Sequence, residues 1–136
     1  MTVDKKVKST IFLVDDDAED RIFLREAFLA ITEDLRIIEF SSGEEFLDFV
    51  PQLIPQLPPS LVVMDMNMPR MNGLETLISL KSIPTCGQLP VVIFSTASNQ
   101  VHIQKTYAHG ASVCLKKPCS FEEYLKIAGD LIVDFL

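Results

Sequence analysis

Several short apolar runs in this sequence end in polar residues that could carry out chemistry. These residues are Asp15-Asp16-Asp17, Asp65, Ser95-Thr96 and Lys116-Lys117-Pro118. Carboxylates bind hard cations, whereas hydroxyl and ammonium groups stabilise anions. They can act together only if the fold brings the ends of these runs to one place.

Three of the aspartates predict a cation site. Taken singly, an acidic residue after a strand is explained by a turn or a helix N-cap, and we assign Asp17 that role. Asp15, Asp16 and Asp65 differ, because neighbouring strands would bring all three close together. Two like charges about 4 Å apart repel by about 4 kcal/mol at an effective dielectric constant of about 20. A cation is needed to keep them ionised, and oxygen ligands favour Mg²⁺ or Mn²⁺ over zinc.

The elements that would position these groups are five β-strands. Each is a run of apolar and β-branched residues that is too short for a buried helix. The runs are 10–14, 35–40, 61–64, 91–94 and 112–115. The first, third and fourth are almost unbroken, which is typical of central parallel strands covered on both faces.

Amphipathic segments with start signals lie between the strands. The predicted helices are 18–31, 43–49, 73–81, about 99–109, and a last helix that follows Ser120. Ser42 and Ser120 each stand three residues before a glutamate, which is the spacing of a capping box, and Asn72 is the N-cap of the third helix. Gly110 ends the fourth helix, because glycine adopts a left-handed backbone without steric cost.

This alternation predicts an α/β fold of the doubly wound, three-layer α/β/α type around a five-stranded parallel sheet. Ligands of such folds lie beyond the carboxyl ends of the strands, at the point where the strand order reverses. The 136 residues are predicted to form one domain, residues 1–136, with its core from about residue 9 to residue 136. The proline-rich stretch 51–59 is predicted to be a connector within it.

Charge and composition exclude several kinds of partner. A net charge of −7 and a pI near 4.7 disfavour nucleic acids and anionic membranes, so we expect neither to bind directly. No apolar run reaches the roughly 18 residues of a membrane span and the start lacks a signal peptide, which predicts a cytoplasmic protein. Cys86, Cys114 and Cys119 fit neither a disulfide framework nor a zinc site, and are predicted to be free thiols.

The polar residues and their spacing resemble those of a known family. The matching features are the pair Asp15-Asp16, the stretch Met64-Asp65-Met66-Asn67-Met68-Pro69 followed by Gly73, the hydroxyl of Ser95, and the pair Lys117-Pro118. In this order and approximate spacing they resemble the receiver domains of two-component response regulators, of the single-domain, CheY-like type. The resemblance spans nearly the whole chain and implies a flavodoxin-like sheet with the strand order 2-1-3-4-5.

The resemblance also implies the chemistry of the site, with Asp65 accepting a phosphoryl group. The implied ligands of Mg²⁺ or Mn²⁺ are Asp16, Asp65, the backbone carbonyl of Asn67 and, through water, Asp15. Lys117 would neutralise charge on the phosphoryl oxygens, and a cis peptide before Pro118 would aim its ammonium into the site. Ser95 would bind a phosphoryl oxygen and draw the following loop inward, with Thr96 as the second candidate.

The implied function is that of a phosphoacceptor in a two-component phosphorelay. The phosphoryl group would come from the phosphohistidine of a sensor histidine kinase or a phosphotransfer protein. The phosphorylated domain would bind a downstream protein target, and a second copy of the chain is a further candidate partner. The domain would catalyse only its own phosphorylation and dephosphorylation, so we do not predict an enzyme. The sequence stops after the fifth predicted helix, which predicts output through protein binding.

Two positions depart from the family pattern. Cys114 stands where the fifth strand usually has an aromatic residue, and Cys119 where an aromatic residue usually follows the proline. A thiol cannot fill the space that a moving Ser95 would open, so we expect output through backbone shifts of the fourth helix. In that helix, Ile103 and Tyr107 are predicted to pack into the core.

Three alternatives belong to other functional classes. A phosphatase of the haloacid dehalogenase type needs a second aspartate two residues after the first, where this chain has Asn67. A flavodoxin-like flavin binder needs a phosphate-binding loop after the first strand, where three aspartates would repel phosphate. A receiver-like docking module that is never phosphorylated is the stronger alternative.

Overall fold

The computed structural model describes residues 8–52, 59–96 and 100–136. Within these residues, a five-stranded parallel sheet has the strand order β2-β1-β3-β4-β5. The strands are β1 (Ser9–Val14), β2 (Leu35–Phe40), β3 (Ser60–Asp65), β4 (Val91–Ser95) and β5 (Val113–Lys116). The predicted fold class and strand order are confirmed.

The strand ends extend beyond the apolar runs that predicted them. β3 begins at Ser60 and includes Asp65, which is paired with Phe94 of β4, and β5 is displaced by one residue to end at Lys116. Backbone pairing continues after the apolar pattern stops, because the ladder depends on N–H and C=O groups rather than on side chains. Asp65 is therefore a strand residue and not a loop residue.

Five α-helices alternate with the strands in the described ranges. They are α1 (Ala18–Ile31), α2 (Gly43–Phe49), α3 (Gly73–Lys81), α4 (Gln100–Ala108) and α5 (Phe121–Phe135). Short 3₁₀ helices at Val50–Gln52 and Pro84–Cys86 follow α2 and α3. The predicted bounds of the first three helices are confirmed, whereas Asn99, the predicted start of the fourth, and most of the connector 51–59 lie outside the described residues.

The helix caps agree with prediction in part. Asn72 and Glu75 form a complete capping box at the start of α3. At α2 and α5 the serine hydroxyl accepts from the N–H of the glutamate, as predicted. The glutamate carboxylates, however, accept from the N–H of the residue before each serine, Ser41 at 3.2 Å and Cys119 at 2.8 Å. The second half of each predicted box is therefore wrong, because the glutamate side chain reaches one residue further back.

Two hydrophobic clusters fill the two sides of the sheet. On one side, Phe12 of β1 packs with the rings of Phe40, Phe46 and Phe49, and this cluster also takes residues of α3 such as Leu77. On the other side, residues of β1, β3 and β4 pack with α1 and α5. The principal residues there are Ile11, Leu13, Phe28, Leu61, Val92 and Tyr124. Alternate residues of β1 thus face opposite clusters, as expected for a central strand.

The fourth helix is the most exposed part of this arrangement. Gly110 ends the segment with φ of 107°, which confirms the predicted left-handed residue. Ile103 is half-buried, but Tyr107 is 45% exposed, and its hydroxyl accepts a hydrogen bond from the N–H of Cys114 at 3.0 Å. The prediction that Tyr107 packs into the core is wrong, because its hydroxyl is bound to the backbone of β5.

The predicted free thiols are confirmed, with Cys86 buried, Cys114 half-buried and Cys119 exposed. None of the helices within the described ranges has the length and apolar character that a bilayer span requires.

Candidate functional site

Three carboxylates meet at the carboxyl edge of the sheet. Asp15 directly follows β1 and Asp65 ends β3, and these strands are neighbours, with Val14 paired to Met64. One carboxylate oxygen each of Asp15, Asp16 and Asp65 lies within 4.8 Å of the other two. Asp15 and Asp65 are both only 4% exposed, whereas Asp16 is exposed. The structure thus brings together the aspartates that the sequence grouped.

Asp15 is held by its neighbours in the chain and by α1. Its Oδ1 accepts the N–H of Asp17 at 2.9 Å, and its backbone carbonyl accepts a hydrogen bond from Arg21 Nη1. Arg21 Nε in turn contacts Glu39 Oε1 at 3.2 Å. Burial raises the pKa of Asp15 to about 7, with the nearby charge of Asp65 adding to the shift and the Asp17 hydrogen bond opposing it. The sequences of β1 and β3 gave no indication that Arg21, four residues after Asp17 in α1, would contact the site.

Asp65 has a similar environment. Burial raises its pKa, and the nearby Lys117 ammonium opposes that shift. The Asn67 N–H donates to Asp65 Oδ1 at 3.3 Å, so the start of the β3–α3 loop folds back on the carboxylate. Two buried, mutually repelling carboxylates beside an exposed third form an oxygen donor set that suits a hard divalent cation.

Gly73 keeps this loop tight. Its N–H donates to the carbonyl of Met66 at 2.9 Å. A Cβ at this position would lie 2.7 Å from the Asp65 carbonyl oxygen and 2.9 Å from the Met66 Cα. Any larger residue would therefore press on the backbone that carries Asp65.

Lys117 reaches the site from the end of β5. Its Nζ lies 3.5 Å from Asp65 Oδ2 and 3.6 Å from Asp15 Oδ2. The predicted cis peptide before Pro118 is wrong, because no peptide bond among the described residues is cis. Instead, the Lys117 N–H donates to the Ser95 carbonyl at 3.0 Å, which continues the pairing of β5 with β4 and directs the side chain inward. Lys116, by contrast, is exposed.

A fourth carboxylate, Asp20, joins the site although sequence reasoning missed it. Asp20 Oδ2 lies 2.5 Å from Lys117 Nζ. Burial lowers the pKa of Lys117, but the hydrogen bond to Asp20 and the charges of Asp15 and Asp65 outweigh burial and raise it. Asp20 stands in the first turn of α1, where acidic residues are common for reasons of helix stability, so its spacing from Asp17 carried no distinctive signal.

The two candidate hydroxyls lie at the end of β4. Ser95 is half-buried and lines a cleft of about 370 Å³. The cleft is lined by Met66, Asn67, Met68, Asn72, Leu74, Ser95 and His102. Thr96 is exposed, and its Oγ1 accepts from the Asn67 side-chain amide at 2.9 Å. Asn67 therefore connects the loop after β3 to the residue after β4.

Comparison with known proteins identifies the family. Residues 11–128 match the family model of the response regulator receiver domain. The chain belongs to this family. It is thus a receiver domain of two-component signalling with a CheY-like fold, and the phosphatase and flavin-binding alternatives are without support.

Relatives include regulators that are longer than this chain. The nitrate/nitrite response regulator NarL of Escherichia coli (strain K12) is 30% identical over 131 residues, which are 92% of this chain and 57% of NarL. The chain thus spans little more than half of that protein. The response regulator Rcp1 of Synechocystis sp. (strain ATCC 27184 / PCC 6803 / Kazusa) is 25% identical over 130 residues, 93% of this chain and 88% of Rcp1.

Solved structures with the same fold include two response regulators. The phosphorylated phytochrome response regulator RcpA superposes with a TM-score of 0.83 at 26% identity, covering 94% of each chain. The Mn²⁺-bound form of Rcp1 superposes with a TM-score of 0.77 at 25% identity, covering 90% of each chain.

Proposed function

We propose that this receiver accepts a phosphoryl group on Asp65, in a Mg²⁺-dependent transfer from a phosphohistidine of a sensor histidine kinase or a phosphotransfer protein. One observation carries the proposal: the Asp65 carboxylate is buried at the meeting point of two further carboxylates within 4.8 Å and an ammonium 3.5 Å away. A nucleophilic carboxylate, a cation-binding corner and a fixed positive charge are the groups that phosphoryl transfer requires.

In the transfer, an oxygen of Asp65 forms a bond to phosphorus while the bond between phosphorus and the imidazole nitrogen breaks. The nitrogen keeps the electron pair of the broken bond. Charge then gathers on the three equatorial oxygens of the phosphoryl group. Lys117 Nζ is 3.5 Å from Asp65 Oδ2, so its ammonium is close enough to the acceptor to neutralise charge on the phosphoryl oxygens.

The residues at the site fit the metal that the proposal requires. Asp16 and Asp65 would hold Mg²⁺ or Mn²⁺ with the backbone carbonyl of Asn67, and Asp15 would act through bound water. Ionising buried Asp15 and Asp65 together is costly without a cation, which is why the donor set favours one. When bound, the divalent ion supplies positive charge that stabilises the phosphoryl oxygens. The Mn²⁺-bound form of the relative Rcp1 supports this assignment.

Ser95 is proposed as the hydroxyl that binds a phosphoryl oxygen, because it ends β4 at the carboxyl edge of the sheet and lines the cleft that also contains Asn67. Its movement would alter the surface formed by α4 and β5, and so would change the binding of a downstream protein or of a second copy. Cys114 leaves no ring to follow that movement, so the backbone of α4 would carry it. We propose that residues 1–136 act as one domain in this role.

The test is phosphorylation by acetyl phosphate in the presence of Mg²⁺, followed by intact-protein mass spectrometry. The expected result is a mass gain of one phosphoryl group that disappears in Asp65→Asn and when the metal is chelated. Asp17→Asn is the matched control, because it makes the same chemical change at the N-cap of α1, where asparagine also caps well.

An unmodified wild-type protein under these conditions, with its fold intact, would overturn the proposal. That result would favour the alternative of a docking module that binds partners without phosphorylation. A gain that persists in Asp65→Asn would place the acceptor elsewhere and would also count against it.

A further inference from the structure

The strongest contact of Lys117 is with a residue outside the proposed phosphorylation chemistry. Its ammonium lies 2.5 Å from Asp20 Oδ2, compared with 3.5 Å from Asp65 Oδ2 and 3.6 Å from Asp15 Oδ2. Charge-assisted hydrogen bonds between nitrogen and oxygen are about 2.7–2.9 Å long. Of the three contacts of the ammonium, only the one with Asp20 is short enough to be such a bond. The ammonium is thus held at the α1 side of the site.

The backbone of Asp20 is held in the first turn of a helix. Its N–H donates to Asp17 Oδ1 at 3.3 Å in the first turn of α1. Beside it, the ring of Tyr124, which is 5% exposed, stacks on Phe23 at 5.9 Å. The negative charge of Asp20 also contributes, after burial, to a pKa of Tyr124 raised to about 12. Aspartate in a first turn usually serves the helix dipole alone, but this side chain is only 20% exposed and contacts Lys117.

A phosphoryl group on Asp65 changes what Lys117 must bind. The group adds negatively charged oxygens next to Asp65, and the ammonium can neutralise them only by turning toward them. An ammonium has three N–H donors, so it cannot contact three carboxylates and the phosphoryl oxygens all at short range. The contact with Asp20 therefore opposes that turn.

We propose that Asp20 is a positioning residue that restrains Lys117 and so weakens the hold of the site on a phosphoryl group; this inference rests on the proposed function of Asp65. Without the Asp20 charge, the ammonium would still be attracted by Asp15 and Asp65, which lie 3.6 and 3.5 Å away. It would move toward the centre of the site rather than leave it.

The test compares the affinity of Asp20→Asn and wild type for beryllofluoride, a stable phosphoryl analogue, by calorimetry at fixed Mg²⁺. The expected result is binding about three to ten times tighter in Asp20→Asn, the range for loss of one competing, partly exposed ion pair. Glu19→Gln is the matched control, because it removes the same charge from an exposed neighbour in the same turn, and it should change affinity less than about twofold.

A second measurement is a crystal structure of the wild-type beryllofluoride complex, in which Lys117 Nζ should contact a fluorine and lie farther from Asp20. The inference is overturned if Asp20→Asn binds no more tightly than Glu19→Gln. It is equally overturned if Lys117 stays bonded to Asp20 in the complex. Failure of wild type to bind beryllofluoride at all would instead contradict the proposed function, and the two failures are therefore distinguishable.

Discussion

The central and outer halves of the carboxyl edge of the sheet are built differently. At the centre, Asp15 and Asp65 follow or end strands that are buried along almost their whole length, and each is 4% exposed. On the outer side, no residue of β5 is fully buried, Ser95 is half-buried, and Tyr107 of α4 is 45% exposed. The two buried carboxylates of the proposed site thus lie in the packed half, whereas Ser95 and α4, which are proposed to move, lie in the loosely covered half.

This difference has a physical reason. A carboxylate nucleophile and a cation corner need geometry that does not change, which dense packing on both faces of β1 and β3 provides. A surface that responds to a ligand must come from the less stable part of the molecule, where few buried contacts oppose a shift.

The centre should tolerate loss of a core ring poorly. Phe12→Ala removes a side chain that is 1% exposed and has the rings of Phe40, Phe46 and Phe49 around it, at 5.7–6.4 Å between centroids. Urea unfolding should show a loss of about 3–5 kcal/mol in the free energy of unfolding. Phe121→Ala, at the 40% exposed start of α5, should cost less than about 1 kcal/mol. Equal losses of unfolding free energy in Phe12→Ala and Phe121→Ala would contradict the difference between the packed centre and the outer surface.

The backbone beneath the site should be nearly as sensitive. Gly73→Ala places a Cβ against the Asp65 carbonyl and Met66 Cα, which should cost about 1–3 kcal/mol of stability and weaken Mg²⁺ binding. Gly87→Ala is the control, because its Cβ would come no nearer than 4.0 Å to Pro84 oxygen, and its stability should change little or rise slightly. Unchanged Mg²⁺ affinity in folded Gly73→Ala would show that the loop accommodates the methyl group.

The buried carboxylate of Asp15 should give the metal-free protein an unusual pH dependence. Its pKa is raised from 3.8 to about 7, so between these values the folded state binds the proton more tightly than the unfolded state does. Protonated Asp15 therefore contributes fully to the free energy of unfolding below about pH 4. This contribution is lost as pH rises through 7, by at most about 1.4 kcal/mol per pH unit. Asp15→Asn should remove this decline.

Thermal unfolding at pH 5 and pH 7.5 in a chelator checks this expectation, with the difference between wild type and Asp15→Asn isolating the single group. Adding Mg²⁺ at pH 7.5 should restore more stability to wild type than to Asp15→Asn. A wild-type decline that Asp15→Asn leaves intact would assign the effect to another residue.

The outer half should show the smallest effect, in a hydrogen bond that joins α4 to the sheet. Tyr107→Phe removes the acceptor of the Cys114 N–H, a bond of 3.0 Å, and should cost about 0.5–1.5 kcal/mol locally. Hydrogen exchange should be faster at the Cys114 amide and unchanged at Leu13 in β1. Faster exchange at both amides would mean that the two halves open together.

Much of the framework was predictable because it depends on local patterns. Five apolar runs predicted five strands, and α1 was placed at its observed bounds, since periodicity and capping residues act within a few positions. The errors concern long side chains. The glutamate side chains at α2 and α5 bind the residue before the one predicted. The Tyr107 hydroxyl binds the backbone of β5, and the Lys117 ammonium lies in the site although the peptide before Pro118 is not cis.

The meeting of Asp15, Asp65 and Lys117 follows from the strand ends, because the parallel strands of one sheet present their carboxyl ends at one edge. Which carboxylate binds the ammonium most closely depends on distances of about an ångström between α1 and β5. Such distances result from how helices pack on the sheet, and no local pattern encodes them. The partnership of Asp20 with Lys117 is thus a product of the tertiary structure, whereas the proposal of Asp65 as acceptor rests on the order of residues in the chain and their resemblance to the receiver family.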